Sequence, residues 1–500
     1  MYVLTASQMQ SIDEYTIEQL GISQEILMEK AALCSVAEIK KMNPGHVLIV
    51  CGSGNNGGDG IAVARILLMQ GIHATVYLCF DPSCCKESIR NQLAVYQKIG
   101  GKTVTEIDFG KYDIIVDAIF GIGLSRVIQA PFDEVIMAMN TAREKSGVRI
   151  VSLDIPSGIH TDNGRIMGTA VKADKTVTFS YAKRGHLLYP GKEYTGECII
   201  ADAGMYIDFS PLNKDTVGFS YFNREECLRH PLPQTAHKGT AGRILIIAGS
   251  KDMCGACYLS SCASFRMGCG LVDIYTVQEN LEAMKTMLPE AILHNRTADT
   301  DFSELKQLME MADCVVLGPG LSTSDEAKRC VSFALEHCTR KMIIDADAVN
   351  CIAQNPRMLY NHTKMTDAPV VLTPHPKELS RLISRSVSEL LEDYPNLLVE
   401  TAKEFGVVLV GKGAASIVTD GERFYINQSG NEGLATAGSG DVLAGMIAAI
   451  AVREASLFEA ACKGVYLHGL CGDDCADRIG KTSVMAHDLL DGIIYLNKAE

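Results

Sequence analysis

Short apolar runs, each closed by a turn rich in glycine, proline or small polar residues and followed by a helix-length segment, recur along the chain in two sets. The first set occupies residues 46–51, 74–80, 113–119, 148–153 and 175–180. The second occupies 243–248, 271–276, 313–318, 341–346, 369–373, 407–411 and 415–419. Near-continuous apolar runs are what strands covered on both faces require, and their alternation with helices predicts parallel α/β sheets. Between the sets, the stretch from Phe209 to Gly239 carries Pro211, Pro231 and Pro233 among many polar residues and no clear period, so it reads as a linker. The two halves share the logic of strand, glycine turn and helix but no common sequence, which predicts two different α/β domains, at 1–215 and 223–498.

Composition fits this division. The chain has 500 residues, 47% of them hydrophobic and 21% charged, enough to bury more than one core. The apolar stretch Met446–Val452 is far short of the roughly 18 to 20 residues that cross a bilayer. The opening Met1–Gln8 lacks a basic segment followed by an apolar core, so the expected location is the cytoplasm. Eighteen cysteines agree with that compartment, because they are scattered through apolar runs (Cys51, Cys79, Cys262, Cys269, Cys314) as small core hydrophobes would be. The pair Cys254 and Cys257 has no second pair at zinc spacing and reads as structural. A net charge of −14 argues against nucleic acid or an anionic membrane as partner, so an anionic ligand must be gripped locally.

The chemistry gathers at the carboxyl ends of the predicted strands. After the run 46–51 comes Gly52-Ser53-Gly54-Asn55-Asn56-Gly57-Gly58-Asp59-Gly60, a turn whose backbone N–H groups and following helix suit a pyrophosphate. Gly52, Gly54 and Gly57 also satisfy the dinucleotide pattern, with Asp81 standing 24 positions beyond Gly57, where a dehydrogenase places its ribose carboxylate. Against that reading, Asn55, Asn56 and Asp59 bring side-chain oxygens suited to cations or sugar hydroxyls. After 113–119 comes a second glycine turn, Phe120–Arg126, and after 148–153 comes Asp154-Ile155-Pro156-Ser157-Gly158. Each could be turn chemistry alone, but together they form a constellation at one sheet edge.

In the second half, Gly438 and Gly440 precede a helix predicted to run through Val452, and would build a row of N–H groups able to hold a transferring phosphoryl group. Asp441 follows where a general base for an attacking hydroxyl is needed, although an aspartate there could also be a plain helix cap. Lys412-Gly413-Ala414-Ala415-Ser416 follows the strand at 407–411 and could bind a nucleotide phosphate.

On the Asn55–Gly60 turn, the Asp117-Ala118-Ile119-Phe120-Gly121-Ile122-Gly123-Leu124 loop and the Asp154–Gly158 loop, the first half resembles the NAD(P)H-hydrate epimerases across about residues 1–215. The resemblance implies a Rossmann-like three-layer α/β/α domain and a potassium ion held by Asn56, Asp117 and Ser157. It also implies substrate contacts at Asn55, Asn56, Gly57, Gly58, Asp59, Gly121, Ile122, Gly123, Leu124, Ser125, Arg126, Val127 and Asp154. Lys30 and Ala32 depart from the asparagine and glycine usual in that family. The second half resembles ribokinase-like proteins, and among them the nucleotide-dependent NAD(P)H-hydrate dehydratases. The matching pieces are His237-Lys238-Gly239, Gly249-Ser250, Gly318-Pro319-Gly320-Leu321, Asp345-Ala346-Asp347-Ala348, Thr373-Pro374-His375-Pro376-Lys377-Glu378 and the Gly-Ser-Gly-Asp turn. It implies hydrate contacts at Gly320, His375 and Asp441. ADP contacts are implied at Lys412, Gly413, Ala414, Ala415 and Ser416, and at Asn431, Glu432, Gly433, Leu434, Ala435, Thr436, Ala437, Gly438, Ser439 and Gly440. Lys377 stands where glycine is usual, and no proline precedes Gly255-Ala256.

The two resemblances imply complementary steps on one damaged coenzyme, reduced NAD or NADP that has added water beside the ring nitrogen. The first domain would exchange the R and S epimers with Asp154 as acid or base. The second would use Asp441, magnesium and ADP to phosphorylate the S form and expel phosphate, restoring NAD(P)H and releasing AMP. ADP is expected because the fused arrangement resembles the bacterial enzymes, and a homo-oligomer is expected. The alternatives are a ribokinase-like vitamin or sugar kinase fused to a dinucleotide-binding module, and a dehydrogenase built on the first half.

Overall fold

Side chains along the strand His46–Cys51 divide by parity, as a pleated strand requires: Val47, Ile49 and Cys51 enter one apolar cluster, Leu48 and Val50 another. Helices Gln24–Lys41, Asn55–Met69 and Glu87–Lys98 pack on the first cluster, and helix Phe132–Ser146 on the second, giving three layers. The computed structural model describes residues 1–205, 217–220, 222–228 and 235–498, which form two units, Met1–Gly218 and Phe219–Glu500. Pro211, Pro231 and Pro233 of the expected linker lie outside the described residues. The described parts of that stretch include the short strand Gly218–Phe219 and the short helix Arg224–Leu228.

The sheet of the first unit has seven strands, all paired in parallel. Their order is Lys102–Val104, His73–Leu78, His46–Cys51, Ile114–Ala118, Arg149–Leu153, Lys175–Phe179 and Glu197–Ala201. The winding reverses between His46–Cys51 and Ile114–Ala118, so the turns after these two strands flank the crevice where a doubly wound sheet binds ligands. All five predicted strands are present. Lys102–Val104 and Glu197–Ala201 escape the apolar pattern because they are sheet edges with much of their length exposed.

The second unit repeats the principle with different parts. Its strands run in the order Ile292–Asn295, Leu271–Thr276, Arg243–Ile247, Cys314–Leu317, Lys341–Ile344, Val370–Leu372, Val408–Gly411, Ile417–Thr419 and Phe424–Ile426. The expectation of wholly parallel pairing is corrected at one end. Val408–Gly411, Ile417–Thr419 and Phe424–Ile426 form an antiparallel meander, since their connections are too short for the crossover that a parallel pair needs. The apolar helix Ser439–Arg453 lies under the sheet, beside helix Cys254–Arg266. A Cβ on Gly445 would stand 2.1 Å from the Ser260 carbonyl oxygen, so glycine is what lets the two backbones touch.

The described cysteines are free thiols, and Cys51, Cys257, Cys262, Cys269 and Cys314 are buried in the cores. Among the described residues no helix is long and apolar enough to cross a membrane.

The glycines of the turn after His46–Cys51 are demanded by approach distance. A Cβ on Gly57 would lie 1.7 Å from the Gly52 carbonyl oxygen, and one on Gly60 would lie 2.5 Å from Ala118 Cβ. Gly57→Ala therefore forces the turn off the strand and should destabilise the first unit by about 3 kcal/mol. Urea unfolding followed in that unit checks it; a loss below about 0.5 kcal/mol would contradict the packing argument.

Candidate functional site

In the first unit a cavity of about 670 Å³ opens over the switch point. Its walls include helix Ala6–Glu14 (Met9, Asp13), the glycine turn (Asn55, Asn56, Asp59), Gly121 to Arg126, Asp154 and Lys183. Asn55 Oδ1 accepts from Lys86 Nζ at 2.9 Å. Gly57 and Gly58 supply buried backbone in the first helical turn, while Val127 lies outside the lining with 59% of its surface exposed.

Beneath the turn, Asp117 is fully buried and its carboxylate accepts from Ser157 Oγ (2.6 Å), Ser157 N and Ser152 Oγ (both 2.8 Å). Burial pushes its carboxyl up against the pull of these donors. Asn56 Nδ2 donates to the Phe120 carbonyl at 3.0 Å, while its buried Oδ1 has no hydrogen-bond partner among the described residues. Such an orphaned hard oxygen, beside Asp117, Ser157 and the Phe120 carbonyl, is suited to a hard cation.

The chemistry above this layer centres on a lysine to which sequence reasoning gave no role. Lys183 is completely buried, and its ammonium donates to Asp154 Oδ1 at 2.5 Å, Thr178 Oγ1 at 2.8 Å and the Phe179 carbonyl at 3.3 Å. Asp154 holds φ at +64°, and its carbonyl meets His186 Nε2 at 2.8 Å. Because His186 Nδ1 accepts from the Lys183 amide, Nε2 carries the ring proton. Burial, with the Lys183 charge adding to it, lowers this imidazole to about 4. Asp59 and Asp13 face the same cavity. Burial, reinforced by Asp154 and Asp13, pushes the Asp59 carboxyl well above its ordinary value; burial and Asp154 raise Asp13. The signal for Lys183 was its place just past the strand Lys175–Phe179, at the edge where ligands gather. Asp81, the dehydrogenase-like carboxylate, instead caps a short helix through the Ser83 amide at 2.9 Å. Of the two departures, Ala32 is buried in the core and Lys30 lies over Gly204.

In the second unit, Asp345, at the end of Lys341–Ile344, accepts from Lys412 Nζ at 2.8 Å and from Thr373 Oγ1 at 2.6 Å. Gly440 opens directly onto this pair, since a Cβ there would be 3.3 Å from Lys412 Nζ. Asp441, in the first turn of Ser439–Arg453, is raised to about 7 by burial and by the charge of Asp345, which Lys412 only partly offsets. Glu378 is likewise raised to about 7 by burial, and stands 3.9 Å from the Lys412 ammonium. His375 caps helix Pro376–Leu382, its Nδ1 accepting from the Lys377 and Glu378 amides, and its Nε2 stands 3.3 Å from Glu378 Oε1. Lys377 keeps its backbone in this cap and turns its side chain outward, so the departure from glycine leaves the turn intact. Gly320 needs its φ of +58° and its closeness to Met253 and Ala256.

The expected nucleotide residues fall into two groups. Lys412 to Ser416 form the connection leading into Ile417–Thr419, with Ser416 Oγ bonded to the Gly413 carbonyl at 3.3 Å. Asn431 bonds Gly472, Asp473 and Gly433, and so fixes the turn Glu432–Leu434. Glu432 pairs with Lys481, Ala435 and Ala437 are exposed, Thr436 is half-buried, and Gly438 holds a φ of +87°. His468, buried behind Ser439, is lowered to about 4. Asp345 and Glu378 sat inside quoted motifs, yet only the fold shows that they surround Lys412.

Two groups of carboxyls with a lysine, one lining a cavity and the other clustered about Lys412, each beyond the carboxyl ends of a largely parallel sheet, define a two-site α/β enzyme. Residues 244–495 match the family model described as NAD(P)H-hydrate dehydratase, and residues 24–185 match that described as YjeF-related protein N-terminus. The bifunctional NAD(P)H-hydrate repair enzyme of Moorella thermoacetica is 36% identical over 99% of this chain and 96% of its own length. The one from Escherichia coli is 33% identical over 94% of this chain and 89% of its own. The crystal structure of the ADP/ATP-dependent NAD(P)H-hydrate dehydratase from Bacillus subtilis, with ATP and magnesium, superposes with a TM-score of 0.50. It is 28% identical and covers 56% of this chain and 98% of its own. The chain belongs to the family of bifunctional NAD(P)H-hydrate repair enzymes.

His186 supplies a stability test. A histidine that is neutral when folded down to about pH 4, but protonated when unfolded below 6.5, stabilises the fold above 6.5 and loses that contribution as pH falls toward 4. Over that window the loss amounts to roughly 3 kcal/mol. His186→Asn should flatten the acid branch of the first unit's stability curve by a comparable amount, measured by urea unfolding at several pH values; an unchanged slope would contradict the burial argument.

Proposed function

We propose that the chain repairs hydrated NADH and NADPH, with residues 1–215 exchanging the R and S epimers and residues 223–498 dehydrating the S form at the expense of ADP. The observation that carries this reading is that relatives named bifunctional NAD(P)H-hydrate repair enzymes align over nearly the whole chain, across both candidate sites.

In the first unit the cavity holds the hydrated nicotinamide against the glycine turn, whose N–H groups face the diphosphate. Asp154, ion-paired with Lys183, sets negative charge beside the ring, favouring the cationic ring formed when nitrogen lone-pair donation expels the hydroxyl. A potassium ion would be held by Asn56 Oδ1, Asp117 and Ser157, and the orphaned Asn56 oxygen supports that fit. Its chemistry there is to neutralise the buried Asp117 charge and fix the loops at Phe120 and Ser157.

In the second unit, Asp441 accepts the proton of the substrate hydroxyl as that oxygen attacks the terminal phosphorus of ADP. Gly438 and Gly440 present backbone N–H groups to the phosphoryl oxygens, and Lys412 adds a cation beside them. Phosphate then departs with the carbon–oxygen electron pair, the ring nitrogen lone pair assists, and loss of a proton from the adjacent carbon restores the dihydronicotinamide. A base poised near neutrality suits this task, and the surplus of carboxyls over cations around Asp441 fits a magnesium ion arriving with the nucleotide. The free thiols support a cytoplasmic location.

Given a mixture of both epimers with ADP, magnesium and potassium, the purified chain should return all of it to NAD(P)H, read by dihydronicotinamide absorbance and chromatography. Asp441→Asn should slow dehydration by about 10²–10⁴-fold and leave epimer exchange running. Phosphorylation of a vitamin or sugar with both hydrates untouched would overturn the proposal.

A further inference from the structure

Epimer exchange poses a geometric demand on two sides: hydroxyl leaves a tetrahedral ring carbon from one face, and water must return to the opposite face of the planar cation that forms. We propose that Asp13 and Asp59 form a two-sided acid–base pair, one carboxyl serving each face of that carbon, an inference that rests on the epimerase reading above.

Asp13, Asp59, Asp154 and Lys183 line one cavity, with the Lys183 ammonium paired to Asp154. That ammonium is committed to Asp154, and Asp154 Oδ1 also accepts from Thr178 Oγ1 at 3.2 Å. Asp154 is thereby fixed in place as the partner of that ammonium. Asp13 and Asp59 are differently placed. Neither carboxyl makes a hydrogen bond or ion pair with another described residue, and they project from separate walls, helix Ala6–Glu14 and the first turn of helix Asn55–Met69. Burial raises both, Asp154 adds to each, and Asp13 raises Asp59 further, so both carboxyls are biased toward holding protons.

The steps balance. A protonated carboxyl on the first face gives its proton to the hydroxyl, the carbon–oxygen bond breaks with its electron pair leaving on water, and the nitrogen lone pair makes a carbon–nitrogen double bond. Water adds from the second face, the double-bond electrons return to nitrogen, and the other carboxylate takes the proton released by that water. No oxidant or reductant is needed, and the reverse exchange starts from the opposite protonation state.

The test gives the full-length chain each pure epimer in oxygen-labelled water with potassium, and follows inversion by chromatography and label by mass spectrometry. The unmodified chain should invert both epimers with incorporation of label. Asp13→Asn and Asp59→Asn should each cut inversion by about 10²-fold or more, yet still exchange label into one epimer without inverting it, a different epimer for each variant. A purely structural role would not produce that opposite pattern. The proposal is overturned if either variant inverts at the original rate. It is equally overturned if both variants label the same epimer, or if a variant with unchanged near-ultraviolet circular dichroism labels neither. Should Asp59→Asn fail to fold, Asp13→Asn decides by the same criteria. An unmodified chain that neither inverts nor labels either epimer would instead defeat the epimerase reading itself.

Discussion

In each unit one lysine ammonium is drawn in from solvent and held by an aspartate: the fully buried Lys183 by Asp154 at 2.5 Å, and the largely buried Lys412, its side chain 21% exposed, by Asp345 at 2.8 Å. A desolvated ammonium is costly unless paired and hydrogen-bonded, so each pair is obligatory for its pocket. Its consequence reaches beyond the two partners. With the cation spoken for, the remaining carboxyls lie in low dielectric without an equal share of positive charge. They therefore hold protons near neutrality, as Asp441 and Glu378 do at about 7. Both sites acquire acid–base capacity from the same asymmetry, one lysine among several carboxyls.

The sheets make that asymmetry possible by collecting side chains from distant parts of the chain. Asp154 follows Arg149–Leu153 directly and Lys183 stands a few residues past the neighbouring parallel strand Lys175–Phe179, while Asp345, His375 and Lys412 follow three successive strands. Parallel strands all point their carboxyl ends the same way, so residues just past each strand meet at one edge. Glycine completes the arrangement where backbone must come close, at Gly57 over the Gly52 carbonyl and at Gly440 over Lys412.

Much of this was legible in the sequence because the informative residues sit in strong local patterns. Every predicted strand was found, and the glycine turns fall where ligands would be cradled. What escaped had no local signature. Lys102–Val104 and Glu197–Ala201 are exposed sheet edges, and the antiparallel meander ending at Phe424–Ile426 looks like any short apolar run. Lys183, Asp13 and Glu378 are ordinary charged residues in sequence; only burial beside particular neighbours makes them chemical. Asp81 illustrates the converse, a residue at a suggestive spacing that is spent on a cap.

The most direct measurement is carboxyl carbon NMR of the full-length chain titrated from acid to alkaline pH, with and without the Lys412→Met substitution. Asp441 is predicted to titrate near 7 and to move upward when the ammonium is removed, because Lys412 is the cation that offsets its burial. An Asp441 signal titrating at an ordinary carboxylate value, and indifferent to Lys412, would contradict the account.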